Sequence, residues 1–330
     1  MSQTVPAAEL LARVHDIVGD ALQQTETLFD RELQSENAYV RDILAHSRRF
    51  RGKRLRPILV LLSGAACDGL TDDHPVLAAV VELIHTATLV HDDVLDEADV
   101  RRHVATINTR WNNETSVLFG DYLFTHAFHL AASLSSTLAC RWIGAATNVV
   151  CEGELMQVRH RGHLELTEAE YLQIINGKTA ELCAVSCRLG GHFADADAAI
   201  VEALEAYGRD LGMAFQIADD LLDLLGDESA AGKTLGSDLA KQKLTLPLIR
   251  LLQTCSGAEG DQVREWLSRP DEQTAGRLLP LLRKSDSLTY ARTLALEFAE
   301  SARNRLAQLP ASPARDLLAE FAAFAVARNT

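Results

Sequence analysis

Two five-residue strings in this chain could do chemistry: "DDVLD" at 92–96 and "DDLLD" at 219–223, each closing an apolar run. On an α-helix, residues four apart stack on one face and the next residue turns away by about 100°. Asp92 and Asp96 therefore project together with Asp93 beside them, and Asp219, Asp223 and Asp220 repeat the arrangement. Carboxylates this close repel one another unless a cation neutralises them. Hard, all-oxygen donors suit Mg²⁺, which commonly takes one or two carboxylates and fills its shell with phosphate oxygens and water. One such string is equally well explained as a solvated helix end. Two of them behind apolar helices point to metal, and facing each other across a helical bundle they would clamp a diphosphate.

The basic residues fit that chemistry. The chain is acidic overall, with a net charge of −14, which argues against nucleic acid or an anionic membrane as a general partner. Yet "RRFRGKRLR" (48–56) holds six of the 32 Lys and Arg. Lys53, Arg56 and the pair Arg101–Arg102 could neutralise a second phosphate group, Arg bidentately. Lys178, Lys233 and Lys243 add charge near the second acidic string. Taken singly, each lysine is an ordinary surface residue, and the dense basic segment alone would be a solvated helix end.

The elements that must position these groups are helical. Hydrophobic residues make up 47% of the 330, aromatics only 5%, and helical periodicity runs almost end to end. The pattern predicts an all-α protein with helices over about 6–31, 35–48, 54–67, 74–99, 115–136, 138–158, 167–189, 195–225, 238–254, 260–268, 271–283, 286–308 and 312–328. Thr167 with Glu170 predicts a capping box. No Pro- or Ser-rich linker divides the chain, so one domain over 1–330 is expected, with the first 34 or so residues as a peripheral helix. The six cysteines form no CxxC pair and read as reduced core residues of a cytoplasmic protein. No signal peptide and no membrane span is expected.

In order, the chain carries "GKRLRP", "HTATLVHDDVLDEADVRR", "SVLFGDYLFTHAF", "EGELMQ", "NGKTAEL", "GMAFQIADDLLDLLGD" and "GKTLGSDLAKQKLTLPLI". This series, from about residue 40 to 328, resembles the polyprenyl synthetase family of all-trans isoprenyl diphosphate synthases, and its octaprenyl members most. The resemblance implies a single helical bundle of the isoprenoid synthase type with a central substrate cavity, three Mg²⁺ ions and a homodimer. It implies that Asp92, Asp93, Asp96, Asp219, Asp220 and Asp223 bind metal. Lys53, Arg56, His85 and Arg102 match positions for isopentenyl diphosphate. Arg101, Lys178, Thr179, Gln216, Lys233 and Lys243 match positions for the allylic diphosphate, with Lys178, Thr179 and Gln216 nearest the chemistry. His103 departs from the pattern, since a glycine usually follows the paired arginines. The implied reaction ionises the allylic C–O bond, joins the cation to the double bond of isopentenyl diphosphate and loses a proton, with no dedicated protein base.

Product length depends on what lies above Asp92. Thr88 and Ala87 are small, so a tunnel is predicted along the helix past Ile84, Val81 or Val80, and Leu77, with Phe128, His129 and Leu130 as candidate stoppers. That run spans about 17 Å, room for several isoprene units and hence a long chain. The competing readings explain less. A class I terpene cyclase has less need of Lys53, Arg56 and Arg102. An HD-type phosphohydrolase built on "HDD" (91–93) leaves the second acidic string unused. A non-catalytic partner subunit would lack one of the motifs present here.

Overall fold

The computed structural model describes residues 6–50, 52–67, 69–225, 237–271 and 273–327. Leu- and Ala-rich stretches with helical periodicity fold as sixteen α-helices among these residues. The first half contains α1 (Ala7–Glu32), α2 (Ala38–Ser47), α3 (Leu55–Ala65), α4 (Asp73–Leu95), α5 (Ile107–Arg110), α6 (Asn113–Ala132), α7 (Leu138–Arg159) and α8 (Glu168–Ile175). The second contains α9 (Glu181–Phe193), α10 (Ala198–Leu225), α11 (Ser237–Ala240), α12 (Leu246–Thr254), α13 (Gly257–Ser268), α14 (Thr274–Lys284), α15 (Ser287–Arg305) and α16 (Pro313–Ala327). The all-α expectation holds but for one two-stranded hairpin, β1 (Val100–Arg101) with β2 (Val104–Ala105).

The apolar faces close into two contiguous clusters. One gathers α1, α3, α4, α6, α9 and α16; the other gathers α8 and α12 to α15. They meet along α10, whose Leu211 belongs to the first and Met213 to the second. α4 runs through the first cluster against α1, α3, α6 and α9. Among the described residues it is the helix long and apolar enough to cross a bilayer, and 67% of that stretch is buried against protein. The N-terminal helix is less peripheral than expected. It buries Leu10, Val14, Val18, Ala21 and Phe29 against α3, α4 and α16, because its apolar stripe needs a partner face.

Three departures from the predicted boundaries matter to the site. The helix expected over 74–99 ends at Leu95, and the hairpin follows. Arg102 (φ 51°) and His103 (φ 63°) form the tip of that hairpin, both left-handed as in a type I′ turn. Glycine is favoured there, so His103 holds a strained backbone where the family pattern has none. The helix expected over 167–189 is α8 and α9 joined by a π-turn, Asn176–Ala180. The helix expected over 238–254 breaks at Gln242 (φ 56°), and α12 starts anew with Pro247 in its first turn. The Thr167–Glu170 capping box at the start of α8 is present.

Candidate active site

Both acidic strings sit at helix C-termini. Asp92 is in the last turn of α4 and Asp96 caps it, its N–H donating to the Asp92 carbonyl at 2.8 Å. Asp219, Asp220 and Asp223 lie in the last turns of α10. A helix C-terminus already carries partial negative charge, so carboxylates there are locally unfavourable by about 0.3–1 kcal/mol each. The compensation comes from elsewhere in the chain. Lys243 Nζ lies 2.8 Å and Lys241 Nζ 3.3 Å from Asp96 Oδ2, and Arg161 Nη2 lies 2.7 Å from Asp96 Oδ1. Burial would raise the Asp96 pKa, but Lys243, Lys241 and Lys178 outweigh it and hold it below the usual carboxylate range.

Lys178, expected beside the second acidic string, pairs instead with the first, as Lys243 does. Its Nζ is 2.6 Å from Glu154 Oε1, 3.6 Å from Asp92 Oδ2, and donates to Gln157 Oε1 at 3.0 Å. Burial works against its charge, and Asp92 and Glu154 more than restore it, so the ammonium is held above its ordinary pKa. The next residue, Thr179, donates to Gln216 Oε1 at 2.7 Å, and Gln216 Nε2 donates to Asp220 Oδ1 at 2.8 Å. Tyr171 donates to the other Asp220 oxygen at 2.7 Å. Lys178, Gln216, Asp220, Asp238 and Lys243 line one cavity; Asp220 is the residue of the second string in it, and the first string adjoins it through Lys178 and Lys243, which pair with Asp92 and Asp96.

The π-turn explains how Lys178 and Thr179 reach it. A π-turn inserts one residue into the helix and is frequent at functional sites. Here the inserted turn presses on α7: a Cβ on Gly153 would lie 2.7 Å from the Lys178 backbone nitrogen, and one on Gly177 would lie 2.8 Å from the Val149 carbonyl oxygen. Two glycines facing each other permit an approach that any other residue would prevent.

Three of the six aspartates expected to bind metal, Asp93, Asp220 and Asp223, are buried against protein partners. Asp93 is 2% exposed and takes Arg101 Nη2 at 2.8 Å and Nε at 2.9 Å, because the 100° turn from Asp92 points it to the hairpin. Burial pushes its pKa up, against Arg101. Asp220 is 4% exposed and holds Tyr171 and Gln216; burial, then Asp238, push its pKa up to about 8. The Asp238 N–H donates to Asp223 Oδ2 at 3.1 Å. Among the described residues, no three His, Cys, Asp or Glu side chains converge on one point. Such a donor set suits an ion held by one or two carboxylates together with a ligand's phosphate oxygens.

A second basic group lies around His85. Arg56 is half-buried, and its buried Nε has no partner among the described residues. Arg102 donates to the Phe50 carbonyl, and a Cβ on Gly52 would lie 2.5 Å from its Nη2. Burial, then Arg56, Arg101 and Arg102, hold the His85 pKa well below its ordinary value, so the ring is neutral. Lys53 is exposed at the edge of this group. Arg54 ties the loop down, donating to Glu82 at 2.5 Å and to Glu26 at 2.6 Å. Lys233 lies outside the described residues.

The residues expected to set chain length divide. Ala87 and Ile84 are fully buried, as are Val81, Val80 and Leu77, so side chains fill the passage predicted above Asp92. A small residue leaves no void when its neighbours close on it. Thr88 is only partly buried. Phe128 is 36% exposed on the outside of α6, since Leu123, Ala127 and Leu130 form the buried face of that helix; it does not line an interior stop. The sequence reading also passed over Arg161, Lys241, Glu154 and Tyr171. Glu154 and Lys241 belonged to quoted motifs, whereas nothing local marks Arg161.

Comparison with known proteins places this arrangement. The polyprenyl synthetase family pattern matches residues 37–280. The all-trans-nonaprenyl-diphosphate synthase (geranyl-diphosphate specific) of Rhodobacter capsulatus is 36% identical over 297 residues, 90% of this chain and 91% of that protein. The octaprenyl diphosphate synthase of Escherichia coli is 38% identical over 283 residues, 84% of this chain and 86% of that one. The crystal structure of a polyprenyl synthase from Caulobacter crescentus, complexed with calcium and isoprenyl diphosphate, superposes with a TM-score of 0.92 at 36% identity, covering 97% of this chain and 98% of that one.

Proposed function

The chain belongs to the polyprenyl synthetase family, whose members are prenyltransferases, and we propose that it condenses isopentenyl diphosphate with an allylic diphosphate to make a long, octaprenyl-like all-trans product. The observation that carries this is the shared cavity. It lies at the end of α10, lined by Lys178, Gln216, Asp220 and Lys243, and Lys178 and Lys243 also pair with Asp92 and Asp96 at the end of α4; a second arginine group surrounds His85.

Asp92 and Asp96 on one side and Asp219 and Asp223 on the other would hold Mg²⁺, three ions in all. The ions supply positive charge that stabilises diphosphate as a leaving group. Lys178 and Lys243 reach the same space and add their charge to the departing oxygens, while Asp93 aims Arg101 at them. Asp220 and Tyr171 fix the Gln216 amide, and Gln216 fixes Thr179; their oxygen dipoles face the allylic carbon as positive charge develops there. Lys53, Arg56, His85 and Arg102 hold the acceptor diphosphate, His85 as a neutral donor. The acceptor's double bond then attacks the allylic carbon, and the proton lost from the new bond passes to the released diphosphate.

The growing chain leaves along α4, meeting Thr88 first, and must part the side chains around Ala87 and Ile84 to lengthen. Val117, Leu118 and Phe128 leave apolar surface on the outer face of α6, which supports a homodimer there. All six cysteines are unbridged thiols, in keeping with a cytoplasmic setting. Isopentenyl diphosphate, farnesyl diphosphate and Mg²⁺ should give chains several units longer than the primer by mass analysis, and chelation should abolish them. Failure to extend the primer would overturn the reading.

A further inference from the structure

Arg161 belongs to none of the motifs above. It lies just beyond α7, and its guanidinium reaches back across the chain to the end of α4. Nη2 donates to Asp96 Oδ1 at 2.7 Å and Nη1 to the Leu95 carbonyl at 3.0 Å. The next residue, Gly162 (φ 73°), donates its N–H to the Gln242 carbonyl at 2.9 Å. Gln242 is itself left-handed and separates Lys241 from Lys243, so the same turn steadies the loop that brings both lysines to Asp96 Oδ2. Three segments distant in sequence are thus tied at one carboxylate.

The count of lone pairs says what that carboxylate can still do. An ionised carboxylate accepts at about four positions. Lys243 donates to Oδ2 and Arg161 to Oδ1, with the Lys241 ammonium 3.3 Å from Oδ2, so each oxygen has given up a position and Asp96 is left with two at most. Charge adds a second constraint. Asp92, Asp93, Asp96 and Glu154 are matched against five cations, Arg101, Lys178, Arg161, Lys241 and Lys243. At the first string, counted apart from Asp219, Asp220, Asp223 and Asp238, this surplus opposes a bare divalent ion and attracts a diphosphate. The buried Nε of Arg161 has no partner among the described residues and remains a third donor on the same planar group.

We propose that Arg161 is a positioning residue that makes the first aspartate group bind its divalent ion and a diphosphate as a pair rather than separately. This rests on the prenyl-transfer reading above and adds the residue that couples its two ligands. Arg161 holds the Asp96 carboxylate in one orientation, opposes the lone ion by its charge, and offers Nε to the anion that arrives with it. A lysine keeps the charge but loses the planar fork that spans the Leu95 carbonyl and the Asp96 carboxylate.

Mn²⁺ binding to the full chain, followed by electron paramagnetic resonance with and without inorganic diphosphate, tests this for wild type, R161M and R161K. Diphosphate should raise the Mn²⁺ affinity of wild type. R161M should bind Mn²⁺ alone at least as tightly as wild type but lose roughly tenfold of the gain that diphosphate brings, within the usual range of coupling between two ligands. R161K should fall between them. In turnover, KM for the allylic diphosphate should rise more than kcat falls. A diphosphate-dependent gain unchanged in R161M overturns the proposal, and so does an equal weakening of Mn²⁺ binding with and without diphosphate. Wild type that makes no prenyl product in the same preparation overturns the prenyl-transfer reading and this inference with it. Active wild type beside an unaltered R161M overturns the role of Arg161 alone.

Discussion

Gly153→Ala tests whether the contact between α7 and the π-turn positions the catalytic side chains. The new Cβ would meet the Lys178 nitrogen at 2.7 Å, the Gly177 carbonyl carbon at 3.0 Å and the Gly177 Cα at 3.1 Å, all of them backbone atoms that cannot swing aside. To reach ordinary contact near 3.5 Å, the two segments must part by roughly 0.8 Å. Overpacking of this kind costs about 1–3 kcal/mol, and the better helix propensity of alanine returns about 1 kcal/mol. For a chain of 330 residues each kcal/mol moves Tm by only about 1–2 °C, so the melting point should barely change. Activity should fall far more, because a displacement near 1 Å at Lys178 and Thr179 costs about 100-fold in rate. Gly144→Ala is the control: it lies on the same helix with no atom within 4 Å of its Cβ, and should leave activity intact. Incorporation of labelled isopentenyl diphosphate reads both variants. If Gly153→Ala kept its rate within threefold, the π-turn would not be the positioning element argued here.

His103→Gly should stabilise the fold by roughly 1 kcal/mol in urea unfolding, since a non-glycine residue at φ 63° holds left-handed strain that glycine does not. His85 has a folded pKa depressed by burial and then by Arg56. The unfolded ring protonates near pH 6.5 while the folded one stays neutral, so its contribution is complete above about pH 6.5 and is lost as pH falls below. Urea midpoints should therefore drop between pH 7 and pH 5 in wild type and drop less in His85→Gln. Thr88→Phe, at the partly buried position beside Ala87, should shorten the product by several units in mass analysis; an unchanged distribution would refute the path along α4. Asp96→Asn leaves Lys241, Lys243 and Arg161 without their shared anion and should destabilise by about 1–3 kcal/mol, whereas a solvated helix end would gain stability on losing that charge.

What could be read in the sequence was what local spacing determines. Asp92 and Asp96, four apart behind an apolar run, had to share a face, and Leu and Ala periodicity had to give helices. The breaks were harder. Pro247, inside a helix predicted to run from 238, was a usable sign that the helix starts afresh near it. The π-turn at 176–180 carries no comparable mark, because its extra residue is accommodated by the Gly153–Gly177 contact across two helices. The closure of the space above Asp92 was not legible for a related reason: small side chains at 87 and 88 describe one wall, and the neighbours that fill the space belong to other segments.

Arg161 and Lys241 show where local reading stops and why. Each looks like a surface cation in its own segment, and each reaches Asp96 only because Gly162 and Gln242, both left-handed, turn two loops onto one point. The charge of the first aspartate group is therefore a property of three segments together. Read from 92–96 alone it is a strongly negative pocket for a free ion. Read with its tertiary partners it is slightly positive, and the site favours an ion that brings its own anion.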